Sequence, residues 1–389
     1  MKILFLVSRV PYELDKGDKL RAFHQLKYLS RHHDVILFAL CDEAVPVAAQ
    51  EALETICREV VICPISRPES LWSMTKGVPQ RKPFQVAYFY NRKAQQRLDA
   101  LVQQHQPDHL FCQLLRMAPY VRDYPHIPKT LDYMDAFSKG MERRMQKVSF
   151  FLKPFFYLEY KRLLRYEARQ YDLFTNTIII SEQDRFYIQH PQKYNIQVVP
   201  NGVDTGHFRP GAEEKTFHLL FSGNLSYPPN IEACRYLVRK VLPLVRPHFP
   251  AIRVLLAGKD PVPAVAALAG ENIEVRANLA DIREAYNAAS FFVAPLFLGS
   301  GLQNKILEAM AMGIPCITTG QVNKALGARK AEQILLAESP QGFAAHILYL
   351  LLHPQEAGRL ACQAHQLVEK QYNWDHINAR LENLLRPAQ

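Results

Sequence analysis

Apolar residues in the first forty positions predict a strand, a helix and a second strand. Two continuous apolar runs, KILFLVS at 2–8 and DVILFAL at 34–40, have the length of buried strands. Between them, apolar side chains recur at the three- and four-residue spacing of a helix: Ala22, Phe23, Leu26 and Leu29. This order predicts a βαβ unit, in which the two strands run parallel.

The same alternation fills the rest of the chain in two series. In the first, the apolar runs VVICPI, DHLFCQL, KTLDYMD and LFTNTIII are separated by segments long enough for helices. After the turn-rich VVPNGVDTGHFRPG, a second series follows with FHLLFSG, IRVLLAG, IEVRAN, FFVAPL, PCITT and ILLA. Buried parallel strands form such continuous apolar runs, so each series predicts a parallel sheet covered by helices on both faces.

These series predict an α/β protein with two Rossmann-like, doubly wound domains, as the length of 389 residues also suggests. We place the first domain at 1–202 and the second at 203–372, and we expect the last helix, in 373–389, to pack on the first domain. Open α/β sheets bind ligands at the carboxyl ends of their strands. We therefore expect the two domains to face each other across a cleft lined by strand-to-helix loops.

Composition narrows the class of protein. An apolar content of 48% and a charged content of 22% exclude disordered and fibrous classes. No run of eighteen apolar residues occurs, and the N-terminal apolar stretch is too short for a signal peptide, so we expect a cytosolic protein. The seven cysteines are scattered without a C-x-x-C pair, and we interpret them as reduced core thiols.

The net charge of +10 is concentrated in the first half of the chain. Residues 1–200 hold 29 Lys and Arg against 21 Asp and Glu, a balance of +8, which leaves +2 for residues 201–389. A basic face can meet nucleic acid, anionic lipid or phosphorylated substrates, and composition alone does not choose among them.

The segment GSGLQNKILEAMAMGIPC at 299–316 carries the main candidate chemistry. It places a glycine turn and then a helix, beginning at Leu302, after the strand FFVAPL. A helix N-terminus offers unpaired N–H groups that favour phosphate. Lys305 and Glu308 lie one turn apart on nearly the same face. Lys305 can neutralise a diphosphate, and Glu308 can accept hydrogen bonds from ribose hydroxyls. The segment therefore predicts half of a nucleotide-sugar clamp.

LEAMAMGIPC, together with VVPNGVD, SGNLSYPPN and PYELDKGDKLRAFHQLKYL, resembles the retaining glycosyltransferases of family 4, which have the GT-B fold. The resemblance covers nearly the whole chain and is greatest to sugar transferases associated with bacterial exopolysaccharide clusters. It implies a hexosyltransferase that moves a sugar from a UDP- or GDP-sugar to a hydroxyl of a glycan or lipid-linked acceptor. It also implies retention of configuration and no need for a metal or further cofactor.

The resemblance implies roles for particular residues. We expect catalytic roles for Asp135, Lys305 and Glu308. We expect the donor to contact Gly17, Asn224, Arg276, Asn278, Ser300, Gly301, Leu302, Gln303, Asn304, Lys305 and Glu308. We expect the acceptor to contact Asp18, Arg21, Asp132 and Asp135. For Gly17 and Asp18, a plain turn at 16–19 is an equal alternative to ligand contact. For Asp135, the alternative to a catalytic or acceptor role is that Asp135 or Ser138 caps the next helix, and we favour this alternative slightly.

Three positions depart from the family pattern. Ser300 replaces a glutamate eight residues before Glu308, and Asn224 and Pro229 stand where many members have Arg and Lys. These departures leave open a non-catalytic sugar-nucleotide-binding or scaffolding module, and a GT-B epimerase is a further alternative. A nucleic-acid-binding protein is suggested by charge alone, and we expect no nucleic-acid partner.

The segment 150–169 combines aromatic residues with five cations: Lys153, Lys161, Arg162, Arg165 and Arg169. A basic aromatic helix can lie at the inner face of a membrane and collect a lipid-linked acceptor. The alternative is a core helix whose cationic stems line its edge. We favour the core helix, because Leu158, Leu163 and Leu164 must also be buried.

Overall fold

The computed structural model describes residues 1–14, 16–43, 45–77, 82–297 and 302–386. The chain divides into two compact units, Met1–Pro200 together with Asn378–Gln389, and Asn201–Ile377. It leaves the first unit two residues before the boundary predicted from sequence, and it returns to that unit within its last helix.

Seven strands form the sheet of the first unit, in the order β3-β2-β1-β4-β5-β6-β7. Their bounds are Lys2–Val7 (β1), Asp34–Cys41 (β2), Glu59–Pro64 (β3), His109–Gln113 (β4), Lys129–Asp132 (β5), Asn176–Ile179 (β6) and Gln197–Val198 (β7). All neighbouring pairs are parallel; Ile3, for example, lies opposite Val35 on one side and His109 on the other. This is the Rossmann order, which confirms the predicted doubly wound sheet.

Helices cover this sheet and connect its strands. Their bounds are Gly17–Leu29 (α1), Val47–Glu54 (α2), Arg67–Gly77 (α3), Phe84–Phe89 (α4), Arg92–His105 (α5), Phe137–Lys147 (α6), Lys153–Tyr171 (α7) and Glu182–Tyr187 (α8). Capping side chains start two of them: Asn91 accepts hydrogen bonds from the N–H groups of Lys93 and Ala94, and Ser181 accepts one from Asp184.

Six parallel strands form the sheet of the second unit, in the order β10-β9-β8-β11-β12-β13. Their bounds are Phe217–Ser222 (β8), Val254–Gly258 (β9), Ile273–Ala277 (β10), Ala289–Ala294 (β11), Cys316–Thr318 (β12) and Leu335–Leu336 (β13). The connecting helices are Pro228–Tyr236 (α9), Leu242–Val245 (α10), Pro263–Ala266 (α11), Arg283–Asn287 (α12), Asn304–Ala311 (α13), Gly320–Leu326 (α14), Pro340–Leu352 (α15) and Pro354–Gln371 (α16). A π-helix at Leu237–Val241 joins α9 to α10. The second predicted Rossmann-like sheet is therefore also present.

The last helix, Trp374–Leu385 (α17), belongs to the first unit from Asn378 onward. The Asn378 side chain donates to the backbone oxygen of His24 at 3.0 Å, and the Tyr28 hydroxyl donates to Glu382 at 3.2 Å. The Asn176 amide donates to the backbone oxygen of Leu384 at 2.7 Å. Hydrogen bonds from two elements of the first unit thus hold the end of the chain.

The seven cysteines are all free thiols. Five are buried, whereas Cys41 is partly exposed and Cys362 is exposed, so the prediction of core thiols is wrong for Cys362. No helix in the described part of the chain is long and apolar enough to cross a membrane. Within the same residues, no group of three or more His, Cys, Asp or Glu side chains could hold a metal ion.

Candidate active site

The loops that follow β8, β9 and β10 are tied together at the carboxyl edge of the second sheet. Leu225 N–H donates to the Lys259 carbonyl at 2.7 Å, and Asn278 N–H donates to the Gly258 carbonyl at 2.9 Å. The Asn278 side chain accepts a hydrogen bond from Asp260 N–H at 3.1 Å. Asn278 therefore braces a turn of the candidate site, and its predicted contact with the donor stays a prediction.

Two glycines allow the loops after β8 and β9 to pack closely. Gly223 and Gly258 have φ angles of +144° and +151°, a conformation that side-chain-bearing residues rarely adopt. A Cβ on Gly258 would overlap the Gly223 carbonyl, and a Cβ on Gly223 would lie 2.9 Å from Lys305 Nζ. Glycine at position 223 therefore leaves room for the lysine side chain beside β8.

The Lys305 ammonium is held against the loop after β8. Its Nζ donates to Asn230 Oδ1 at 2.6 Å and lies 5.0 Å from the centroid of the Phe221 ring. The Asn230 amide in turn donates to the Asn224 backbone oxygen at 2.7 Å. Burial lowers the pKa of Lys305 to about 8, although the Glu308 carboxylate opposes this shift. The site thus holds a cation whose charge is costly without an anionic ligand.

A fully buried tyrosine orients the Glu308 carboxylate. The Tyr286 hydroxyl donates to Glu308 Oε2 at 2.8 Å, and Ser222 Oγ lies 2.8 Å from the same hydroxyl. Burial raises the pKa of Glu308, while the Tyr286 hydrogen bond and the Lys305 charge oppose the shift. Lys305 and Glu308 are therefore positioned by different neutral partners, Asn230 and Tyr286. Neither neutral partner cancels the charge that it positions.

The N-terminus of α13 completes this group. The helix begins at Asn304, two residues later than predicted, and Gln303 occupies its N-cap without a side-chain capping hydrogen bond. Asn304 Oδ1 is buried and has no partner among the described residues, and Leu302 packs against the core of the second unit. The predicted donor contacts Ser300 and Gly301 lie outside the described residues.

Asn224 and Arg276 have local partners. Asn224 Oδ1 accepts hydrogen bonds from the backbone N–H and the hydroxyl of Ser226, at 2.8 and 2.6 Å. The Arg276 guanidinium pairs with Glu274 at 2.5 Å and lies 5.2 Å from the Phe217 ring, at the start of β8. The structure therefore does not bring the Arg276 side chain to Lys305, which lies beside the opposite end of that strand.

In the first unit, Arg21 and Asp132 form a fully buried ion pair, with Arg21 Nε 2.5 Å from Asp132 Oδ2. Gln25 donates to the same carboxylate oxygen, Met134 N–H donates to Oδ1, and Arg21 also donates to the Pro200 carbonyl. Neither side chain exposes any surface. The predicted acceptor contacts of Arg21 and Asp132 are therefore corrected: this pair holds α1, β5 and the end of the unit together.

Gly17 and Asp18 begin α1, at the carboxyl end of β1. Asp18 pairs with Arg9 at 2.9 Å and keeps 13% of its side-chain surface exposed, so it can still reach a ligand. A Cβ on Gly17 would meet nothing within 4 Å. The first unit itself therefore does not require glycine at this position, and the predicted close approach of the donor stays a prediction.

Asp135 follows β5, and part of its surface is exposed to solvent although protein groups surround its carboxyl. Desolvation by the surrounding protein raises the pKa of the Asp135 carboxyl to about 6; the Asp184 carboxylate adds to this shift, and the Arg116 guanidinium opposes it. The capping interpretation for Asp135 and Ser138 is wrong. Ala136 is the N-cap of α6, and Ser138 N–H donates to Glu167 Oε1 at 2.9 Å.

No pattern in the sequence marks Asn230, Tyr286 or Ser222 as residues of this site. Asn230 ends the SGNLSYPPN segment, but a single asparagine after two prolines has no distinctive spacing. Tyr286 lies on α12, 22 residues before Glu308, and the two meet only because β11 and α13 lie beside β8 and α12. In the sequence, a tyrosine of the site has the same pattern as a tyrosine of the hydrophobic core, so no signal distinguishes the two.

We expect Tyr286→Phe to lower nucleotide affinity about tenfold, because the substitution removes a hydrogen bond to a charged group. The remaining ring fills the same volume, so the fold should persist. Isothermal titration calorimetry with UDP and GDP measures the effect on whichever nucleotide the wild-type protein binds.

Tyr372→Phe is the matched control. The Tyr372 hydroxyl is also buried in the second unit, where it donates to the Leu326 carbonyl at 2.6 Å. Loss of the Tyr372 hydroxyl should reduce stability about as much as loss of the Tyr286 hydroxyl, and it should leave nucleotide affinity unchanged. Equal affinities for the two variants would contradict a positioning role for Tyr286.

The two parallel sheets with their covering helices form the GT-B fold of glycosyltransferases. HepE from Anabaena, solved in complex with UDP, superposes with a TM-score of 0.67 at 15% identity, covering 99% of each chain. A mutant of TarM from S. aureus, solved with UDP and α-GlcNAc-glycerol among its ligands, superposes with a TM-score of 0.68 at 11% identity, covering 100% of each chain.

Sequence comparison agrees with this architecture. Residues 216–353 match the family of glycosyl transferases group 1, and therefore form a glycosyltransferase group 1 domain. An uncharacterized 44.6 kDa protein in the cps region of Klebsiella pneumoniae is 22% identical over 408 residues, covering 96% of each chain. The segment 216–353 that matches the family contains Asn230, Tyr286, Lys305 and Glu308.

Proposed function

We propose that the protein transfers a hexose from a UDP- or GDP-sugar to a hydroxyl of a glycan or lipid-linked acceptor, with retention of configuration, in bacterial polysaccharide biosynthesis. The observation that carries the proposal is the placement of one cation, Lys305, and one carboxylate, Glu308, one turn apart at the start of α13. The UDP in the HepE complex and the cps region of the Klebsiella relative support it. HepE has also been solved with UDP-glucose.

In this proposal, the second unit holds the donor. Lys305 Nζ and the N–H groups at the start of α13 bind the diphosphate and stabilise the negative charge that develops on it. The Glu308 carboxylate accepts hydrogen bonds from the ribose hydroxyls. Tyr286 already donates to Oε2, so we assign the ribose hydroxyls to Oε1.

The transfer itself forms one bond and breaks another at the anomeric carbon. The acceptor oxygen attacks as the bond to the diphosphate oxygen breaks, and the acceptor proton passes to a diphosphate oxygen on the same face. Lys305 stabilises the leaving diphosphate throughout, so the proposed reaction needs no metal ion or further cofactor. Asp135 and Asp18 of the first unit are the proposed contacts that orient the acceptor hydroxyl.

Nucleotide affinity should depend on pH because the pKa of Lys305 is about 8. The ammonium is charged below this pH and attracts the diphosphate, and it loses its proton as the pH rises. A bound anion favours the charged form, so the contribution of Lys305 to affinity should be nearly constant well below pH 8. Above pH 8 it should fall, approaching about tenfold per pH unit. Titration calorimetry with UDP and GDP from pH 7 to 9 tests this dependence.

Lys305→Arg provides the control for this dependence, because the guanidinium remains charged throughout the range. Its affinity should therefore show only the titration of the nucleotide itself. A wild-type affinity that follows the Lys305→Arg curve over the whole range would show that the lysine charge does not bind the nucleotide.

A direct test of the function uses a thermal-shift screen against UDP, GDP and their sugar conjugates, since ligands that bind the folded state raise the melting temperature. The protein is then incubated with the donor that stabilises it and with membrane extract, and the anomeric configuration of the product is determined. A glycosidic product with the same anomeric configuration as the donor supports the proposal. Binding without transfer or hydrolysis would instead favour a non-catalytic module, which the departures at Asn224, Pro229 and Ser300 suggest. A changed donor sugar without acceptor would indicate an epimerase.

A further inference from the structure

The first unit exposes a cluster of large apolar side chains, which we call the aromatic tip. It consists of Phe150, Phe151, Leu152, Phe155, Tyr157 and Leu158, which expose 78, 89, 52, 48, 50 and 45% of their surface. Single exposed apolar residues are common, but six within nine residues mark an interaction surface.

The aromatic tip begins in a short 3-10 helix, Phe150–Leu152, and continues into α7, which is firmly attached to the first unit. Glu159 accepts hydrogen bonds from the N–H groups of Phe84 and Gln85 at 2.8 and 3.1 Å, and Leu163 is fully buried. The core-helix interpretation is therefore correct for Leu163, correct in part for the half-buried Leu164, and wrong for Leu158. The aromatic tip is exposed while the opposite face of α7 is packed.

Among the residues that the structure describes, the exposed charged side chains of this region are all cations. From Arg143 to Arg169 the sequence contains only two acids, Glu159 and Glu167. Both are buried and used internally, Glu159 by α4 and Glu167 by the Ser138 N–H group. The exposed cations in this segment are Arg144, Lys153, Lys161, Arg165 and Arg169.

The cations continue from the aromatic tip along one side of α7. Tyr157, Lys161 and Arg165 follow one another at four-residue spacing, which keeps them on neighbouring positions of the same helical face. The Lys161 ammonium lies 5.5 Å from the Tyr157 ring centroid. Apolar rings at one end and exposed cations at the other give the face two chemically different parts.

We propose that this face docks on an anionic bilayer surface, with the aromatic tip in the headgroup region and the cations against anionic headgroups. Aromatic rings favour the membrane interface, and each nearby cation adds attraction to an anionic surface. A symmetric contact with a second copy of the chain would bring like charges together, which opposes that occupant. The inference deepens the proposed function, on which it rests, by selecting the lipid-linked acceptor.

Co-sedimentation with vesicles tests the docking without any sugar nucleotide, so its failure is distinguishable from a failure of glycosyl transfer. We expect the wild-type protein to bind phosphatidylcholine vesicles containing phosphatidylglycerol at least about tenfold more tightly than pure phosphatidylcholine vesicles, and to lose affinity as salt increases. Equal binding to the two vesicle types, or no binding to either, would overturn the proposal.

Two variants probe the two parts of the face. Phe150→Ser with Phe151→Ser should lower binding to anionic vesicles about tenfold or more, since it removes the most exposed rings. The control Leu352→Ser changes a side chain that is 75% exposed on the second unit, and it should bind like wild type. Thermal melting confirms that each variant is folded. A tip variant that binds as wild type would overturn the role of the rings.

Lys161→Glu with Arg165→Glu should lower binding to anionic vesicles by about tenfold or more and leave weak binding to neutral vesicles unchanged. Lys93→Glu, at a side chain that is 84% exposed on α5, is the charge control. Light scattering without vesicles checks the other occupant. Self-association that the tip variant abolishes, together with no vesicle binding, would assign the face to a second copy and overturn the proposal.

Discussion

Lys305→Met is expected to lower affinity for the bound nucleotide about 10- to 100-fold, because it removes a charge-assisted contact to the diphosphate. Where transfer can be assayed, kcat/KM should fall about 100-fold or more, since the ammonium also stabilises charge on the leaving group. The methionine side chain is of similar length and uncharged, so it can fill the space that the lysine occupies beside the Phe221 ring. Titration calorimetry with UDP and GDP measures the first effect, and initial rates measure the second.

The same substitution should not reduce stability. Burial lowers the pKa of Lys305, so the folded protein without ligand holds the charged form at a cost. Replacing the ammonium removes this cost, although Asn230 Oδ1 loses its donor. The melting temperature should therefore stay the same or rise while binding falls, as expected of a residue retained for function.

Lys324→Met on α14 is the matched control, because Lys324 is an exposed lysine of the same unit. It should change neither nucleotide affinity nor rate. The proposal for Lys305 would be refuted by a Lys305→Met protein that binds UDP and GDP within threefold of wild type. A loss of affinity in both lysine variants would point to net charge and not to the site.

Asp132→Ala is expected to destabilise the first unit by about 3–5 kcal/mol, because it leaves the buried Arg21 guanidinium without its carboxylate. For a unit of this size, that change corresponds to a fall of about 10 °C in the melting temperature. Two units need not unfold together, so the first transition in a calorimetric scan is the quantity to compare.

Two controls separate burial from charge. Asp18→Ala breaks the partly exposed pair with Arg9 and should cost about 1 kcal/mol or less. Combining Arg21→Met with Asp132→Leu should cost less than Asp132→Ala alone, since no isolated charge remains buried. If Asp132→Ala melted like wild type and weakened only transfer, the acceptor role first expected for this residue would be restored.

Local patterns predicted the elements of the fold well. Continuous apolar runs identified the strands, since a strand buried on both faces must be apolar throughout. The start of α13 was predicted two residues early, because the segment from Leu302 has a helical pattern while the chain remains extended at Gln303. The exposed end of α7 was predicted to be buried, because its leucines and aromatics have the composition of a core helix.

The candidate site was predicted only in part, and its residues show why. Lys305 and Glu308 are close in sequence on one helix, so helical spacing alone places them together. Arg21 and Asp132 were expected to contact a ligand, because sequence shows their charge but not that they are paired. Asn230 and Tyr286 approach the lysine and the glutamate from other elements, and no local pattern indicates those contacts.

The sequence by itself determined that this protein has two parallel α/β units and carries a cation and a carboxylate on one helical turn. These properties follow from apolar periodicity and from spacing along a single helix. The tertiary structure alone decided which charges are exposed: it buries Arg21 against Asp132 and Glu159 against α4, holds the half-buried Glu308 against Tyr286, and leaves the aromatic tip in solvent. Burial depends on neighbours that are distant in sequence, and only the folded chain brings those neighbours together.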